Sequence, residues 1–218
     1  MRPLADSLAN RGYAIEMPRL PGHGTSVADM TNTGWSDWAA AAQEALDSLM
    51  DRCNTVGIAG LSMGGALSAW LAEHTENLAG VVLINPIVKP FQADMVDGLS
   101  QLIESGVETI SSIGSDIKKE GVTESSYDAV PLSSLMTMIE GLKGVQADLG
   151  RITAPVMLFS SRDDHVVSSD NGDEVVAKVA GSVTRIWLEN SFHVATLDND
   201  AALLEGSAGD FFDSCFSS

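Results

Sequence analysis

With 218 residues, 44% of them hydrophobic, the chain is long enough to bury one sizeable core and too apolar to remain disordered. Twelve basic against thirty acidic side chains give a net charge of −18, which repels phosphate backbones and anionic lipid surfaces and argues against nucleic-acid binding. No apolar run approaches the roughly 20 residues of a membrane span, and the start lacks the apolar core of a signal peptide, so a soluble cytoplasmic protein without stable membrane insertion is expected. Cys53 and Cys215 are too few and too far apart for a disulfide framework. The four histidines, His23, His74, His165 and His193, lack metal-ligand spacing, so neither metal nor cofactor is implied.

In chain order, a helix is expected over Pro3–Arg11, a strand over Tyr13–Met17, a helix over Trp35–Arg52, a strand over Thr55–Ala59 and a helix over Met63–His74. Strands follow at Gly80–Asn85, Ala154–Ser160 and Val183–Leu188, with helices at Asn171–Ala180 and Ala201–Phe212. The strands are almost continuously apolar, as strands buried on both faces must be, and their alternation with helices gives an α/β fold with a mostly parallel sheet. The core is expected over 1–86 and 151–218. About sixty residues from Ile87 to Gly150 pass without a buried strand and read as an insertion, a cap or lid between the third and fourth of these strands. Within it, Leu132, Leu135, Met136, Met138, Ile139 and Leu142 form a helical apolar stripe. That stripe reads as a helix packed on the body and equally as a cap face lining an acyl pocket, where the flexible thioethers of Met136 and Met138 suit variable chains; the two readings are compatible.

The run Gly60-Leu61-Ser62-Met63-Gly64 stands where the second strand turns sharply into a helix, the setting of a nucleophilic serine. Small residues two before and two after the serine, Gly60 and Gly64, let strand and helix approach. The helix starting at Met63 directs its free amides and positive dipole end toward a developing oxyanion. Serine needs a base and a carboxylate to orient that base. Asp163 and Asp164 follow the Ala154–Ser160 strand, and His193 follows the last strand, all at the C-terminal edge where open α/β sheets build their sites. The order Ser62, Asp, His193 is also the chain order in which an α/β sheet of this kind builds a serine triad. His23, in Pro21-Gly22-His23-Gly24, reads as structural, His74 as a helix-end surface group, and His165 as poorly placed to serve Ser62.

These residues resemble the α/β-hydrolases, in particular small bacterial carboxylesterases similar to monoacylglycerol lipases. The resemblance rests on Met1–Ala9, Pro18–Thr25, Trp35-Ser36-Asp37-Trp38, Gly60–Gly64, Asp164-His165-Val166-Val167 and Ser191-Phe192-His193. It implies Ser62 as nucleophile, His193 as base, Asp164 rather than Asp163 as orienter, and the Met63 amide as an oxyanion donor. The implied reaction is hydrolysis of short to medium acyl esters, with monoacylglycerols among them, without a cofactor. A thioesterase or amidase would use the same residues, and a catalytically impaired binding or structural protein on this scaffold is the rival reading.

Relatives of this kind carry three further strands and a His-Gly-Phe-type segment ahead of the Met1–Ala9 stretch. One of those strands lies between the counterparts of Tyr13–Met17 and Thr55–Ala59, and the segment supplies a second oxyanion amide. A gap within the sheet is therefore expected. It would be relieved by an upstream segment, by closing of the two flanking strands, or by a strand from another chain, the first being favoured. A homo-oligomer is compatible with an exposed edge near Tyr13–Met17.

Overall fold

The computed structural model describes residues 1–217. Eight α-helices and six strands follow one another among these residues. Helices α1 (Arg2–Asn10), α2 (Val27–Thr31) and α3 (Trp35–Met50) lead to strand β1 (Gly57–Leu61), helix α4 (Met63–His74) and strand β2 (Gly80–Ile84). Between β2 and the next long strand come α5 (Ala93–Glu104), a hairpin of β3 (Thr109–Ser111) and β4 (Ala129–Pro131), and α6 (Leu132–Asp148). The chain closes with β5 (Val156–Ser161), α7 (Asp170–Lys178), β6 (Val183–Leu188) and α8 (Ala201–Phe216).

Strands β1, β2, β5 and β6 form a parallel sheet in that order. Every residue of β2 and β5 is buried, which accounts for their unbroken apolar sequence. Successive side chains point to opposite faces. Val81, Leu83, Val156 and Leu158 pack with Ala42 and Leu46 of α3, Ala69 and Ala72 of α4, and Val145 of α6. Val82, Ile84, Met157 and Phe159 pack with Leu4 and Leu8 of α1 and with Leu204, Ala208 and Phe212 of α8. The result is an α/β sandwich with helices on both faces.

All five expected helices and four of the five expected strands are present within a few residues of their sequence positions, and the stripe from Leu132 becomes α6. Tyr13–Met17 differs. It pairs with no strand and carries no strand hydrogen bonding among the described residues. Between it and β1 lies a groove of about 800 Å³, lined by Leu8, Ile15, Leu46, Ile58, Ala59 and Phe212 among others. The two flanking segments have not closed on each other, so the sequence propensity of Tyr13–Met17 finds no ladder partner to realise it. The short α2, with Ser26 capping the Asp29 amide at 3.1 Å, the hairpin and α5 carry weaker signals than the buried strands and are additions to the sequence reading.

The methionines of α6 face different neighbours. Met138 packs against the cluster of Trp38, Ala39 and Leu67, which Leu20 and Met63 also cover, on the side of the Ser62 turn. Met136 packs against the cluster of Leu99, Leu132 and Ile139, which Ile110 of the hairpin also covers.

Candidate active site

Ser62 joins β1 to α4 with φ 56° and ψ −119°, a strained conformation for a residue with a side chain. Its amide donates to the Ile84 carbonyl at 3.0 Å, and its carbonyl accepts from Ala66 at 3.1 Å, fixing the turn to β2 and to the helix it starts. A Cβ on Gly60 would lie 2.0 Å from the Gly64 carbonyl oxygen and 2.5 Å from Ser68 Oγ, and one on Gly65 would lie 2.8 Å from Pro86 Cβ. A Cβ on Gly64 would meet nothing within 4 Å. The close approach of strand and helix therefore depends on Gly60 and Gly65, and the expectation for Gly64 is corrected. The amides of Met63, Gly64 and Gly65 occupy the first helical turn, where no preceding carbonyl of the helix can accept them.

His193 is buried in the loop after β6. Its Nδ1 faces Asp164 Oδ2 at 2.8 Å. The other oxygen of Asp164 accepts the amides of Val166 at 2.9 Å and Val167 at 2.8 Å, so the loop after β5 aims the carboxylate with two hydrogen bonds of its own. Asp163 instead points outward, its carboxylate 3.4 Å from Lys118 Nζ.

Sequence reasoning missed Asn85. Buried and at φ 40°, it directly follows Ile84, whose carbonyl holds Ser62. Its Nδ2 donates to the His193 carbonyl at 2.8 Å and to Ser161 Oγ at 3.0 Å, while its Oδ1 accepts the Ser161 amide at 2.7 Å. The end of β2 thus connects the serine turn, the end of β5 and the histidine loop. An asparagine after a buried strand, in a conformation that asparagine tolerates better than most residues, was the available signal.

The other histidines lie elsewhere. His23 Nδ1 faces the Pro21 carbonyl at 3.2 Å and its ring meets Trp38 edge-on. His74 Nδ1 faces the Trp70 carbonyl at 2.7 Å at the end of α4. His165 is turned from His193 toward Asp116, 2.8 Å from Oδ1. Asp116 is held below the usual carboxylate range, because hydrogen bonds from His165 and from the His193 and His165 amides outweigh the burial that pushes it up. Glu124 is raised, chiefly by burial, with His193 opposing. No group of three or more potential metal ligands occurs among the described residues.

The sequence and fold of this chain are similar to those of known proteins. Residues 1–200 match the family model described as serine aminopeptidase, S33. A thermostable monoacylglycerol lipase of Bacillus sp. (strain H-257) is 39% identical over 97% of this chain and 84% of its own length. A carboxylesterase of Bacillus subtilis (strain 168) is 23% identical over 98% of this chain and 86% of its own. Among solved structures, one from the work on LipS and LipT, two metagenome-derived lipolytic enzymes, superimposes with a TM-score of 0.90 at 38% identity, covering 98% of this chain and 87% of that one. A monoacylglycerol lipase of Paleococcus ferrophilus, at 16% identity and a TM-score of 0.68, shares the fold. The matched family model and these relatives, together with the parallel sheet and its serine turn, establish that the chain belongs to the serine aminopeptidase S33 family of α/β-hydrolases.

Proposed function

We propose that the protein hydrolyses esters of short to medium acyl chains, monoacylglycerols among them, through an acyl-enzyme formed on Ser62. That it is a carboxylic ester hydrolase follows from its family and its lipolytic relatives; the substrate range and the residue roles are the proposal. One observation carries it: a buried His193 with Nδ1 2.8 Å from a carboxylate that two backbone amides already orient. This arrangement selects the tautomer that leaves Nε2 unprotonated and able to take a proton.

Ser62 Oγ attacks the ester carbonyl as His193 Nε2 accepts its proton, while the Met63 amide at the start of α4 donates to the oxyanion. The imidazolium, stabilised by Asp164, returns the proton to the departing alcohol. Water then attacks the acyl-enzyme by the same route and releases the acid. No step calls for a metal or cofactor. The segment 87–150 acts as the cap over this site, and the cluster of Leu20, Trp38, Met63, Leu67 and Met138 offers an apolar wall for the acyl chain. Cys53 and Cys215 are free thiols, in keeping with a reducing cytoplasm. Among the described residues no helix is long and apolar enough to cross a membrane.

The test compares hydrolysis of p-nitrophenyl butyrate and a monoacylglycerol by the protein and by Ser62→Ala, with fluorophosphonate labelling of both. Turnover and labelling that vanish in Ser62→Ala are expected. A wild-type protein that is neither active nor labelled would favour the binding-scaffold reading instead.

A further inference from the structure

The main chain of His193 is gripped on both sides by residues that no triad requires. On one side Asn85 holds its carbonyl. On the other, Asp116, in the loop between β3 and β4, accepts the His193 amide on Oδ2 at 3.0 Å, and its own carbonyl accepts the next amide, Val194, at 3.1 Å. Asp116 is itself fixed, since it also accepts the His165 amide at 3.2 Å and faces the His165 ring, and its side chain is 12% exposed. A second carboxylate joins the same two segments. Asp198, 1% exposed, accepts the amides of Lys118 at 2.7 Å and Lys119 at 2.9 Å on one side and that of Phe192 at 2.8 Å on the other.

We propose that Asp116 is a positioning residue for His193, through which the segment between β2 and β5 sets the geometry of the base. Asp164 fixes only the ring's Nδ1. A ring held at one atom can still swing with its backbone, and Asp116 removes that freedom by anchoring the amide, with Asp198 holding the loop one residue earlier. The cap segment and the base then move as one unit, so displacement of residues 116–119 misaligns Nε2 from Ser62. A shift on the order of 1 Å in such a group costs about 100-fold in rate. Charged groups facing His193 are Asp164, Asp116 and Glu124, with His165 reaching it only through Asp116.

The inference rests on His193 acting as the base, and the experiment separates the two. Asp116→Ala and Asp116→Asn are assayed in the full chain beside wild type and Ser62→Ala, with proton NMR of the imidazole Nδ1–H that faces Asp164. Asp116→Ala is expected to lower kcat by about 10- to 100-fold with KM within about threefold, and to broaden or shift the imidazole signal. Asp116→Asn, whose carboxamide oxygen still accepts one amide, should restore most of both. An unchanged kcat, a loss confined to KM, or a kcat loss with an unmoved imidazole signal overturns the proposal. Should Asp116→Ala fail to fold, hydrogen exchange in the wild-type protein decides: a protected His193 amide is expected, and one exchanging as fast as an open loop overturns it. If wild type is not labelled by fluorophosphonate, the hydrolase reading fails, while the imidazole signal and amide protection still report on the Asp116 contact.

Discussion

Glu73 provides a test of the packing that stands apart from catalysis. It lies in the last turn of α4, 4% exposed, and neither carboxylate oxygen has a hydrogen-bond partner among the described residues. Burial, and then the charge of Asp148, raise its pKa from the ordinary 4.5 to about 8, with Arg151 opposing. Arg151 is itself 3.7 Å from Asp148, so its charge is shared, and the negative end of the α4 dipole adds to the cost of ionising Glu73. Because the folded pKa lies above the unfolded one, the associated stability is fully present below pH 4.5 and is lost progressively up to about pH 8. At about 1.4 kcal/mol per unit, with an allowance for water reaching the end of the helix, the loss is about 3 to 5 kcal/mol. That is a large part of a typical total stability of about 5 to 15 kcal/mol. Glu73→Gln keeps the shape and removes the titration. Urea unfolding of both proteins from pH 4.5 to 9 should show stabilities that are similar at the acid end and diverge by that amount at the alkaline end, the variant being the more stable. A difference between the two that stays constant across the range would refute the reasoning.

Further outcomes follow from the site. Gly60→Ala places a Cβ 2.0 Å from the Gly64 carbonyl oxygen and should abolish soluble folded protein. Gly64→Ala meets open space and should be neutral or stabilising by up to about 1 kcal/mol in thermal unfolding. Asp164→Asn should lower kcat by about 10,000-fold, as loss of the correct tautomer does in serine hydrolases, whereas Asp163→Asn should keep activity within about threefold; equal losses would contradict the assignment. Asn85→Ala leaves the Ser161 amide and the His193 carbonyl without partners and should destabilise by about 2 to 3 kcal/mol, measured by denaturant unfolding, with kcat falling in the folded fraction.

Local patterns made much of this protein readable. The apolar runs of β2 and β5 follow from burial on both faces, and α4 begins where a glycine-flanked serine turns the chain. The strand and helix signals depend on periodicity or on the sterics of a few adjacent residues, which a sequence records directly. The order of Ser62, an aspartate after β5 and His193 along the sheet's C-terminal edge was also legible, while the choice of Asp164 over Asp163 came from the family resemblance. What the tertiary structure decided depends on residues far apart in the chain. Asp164 meets His193 across 29 positions, Asp116 meets it across 77 and Asn85 across 108; no local pattern encodes such pairs, because folding brings them together by packing the sheet and its loops. The same cause separates Gly65 from Gly64, since only the position of Pro86 makes one crowded and the other free. It also separates Tyr13–Met17 from the sheet, because a strand exists only where a neighbouring strand completes its hydrogen bonds.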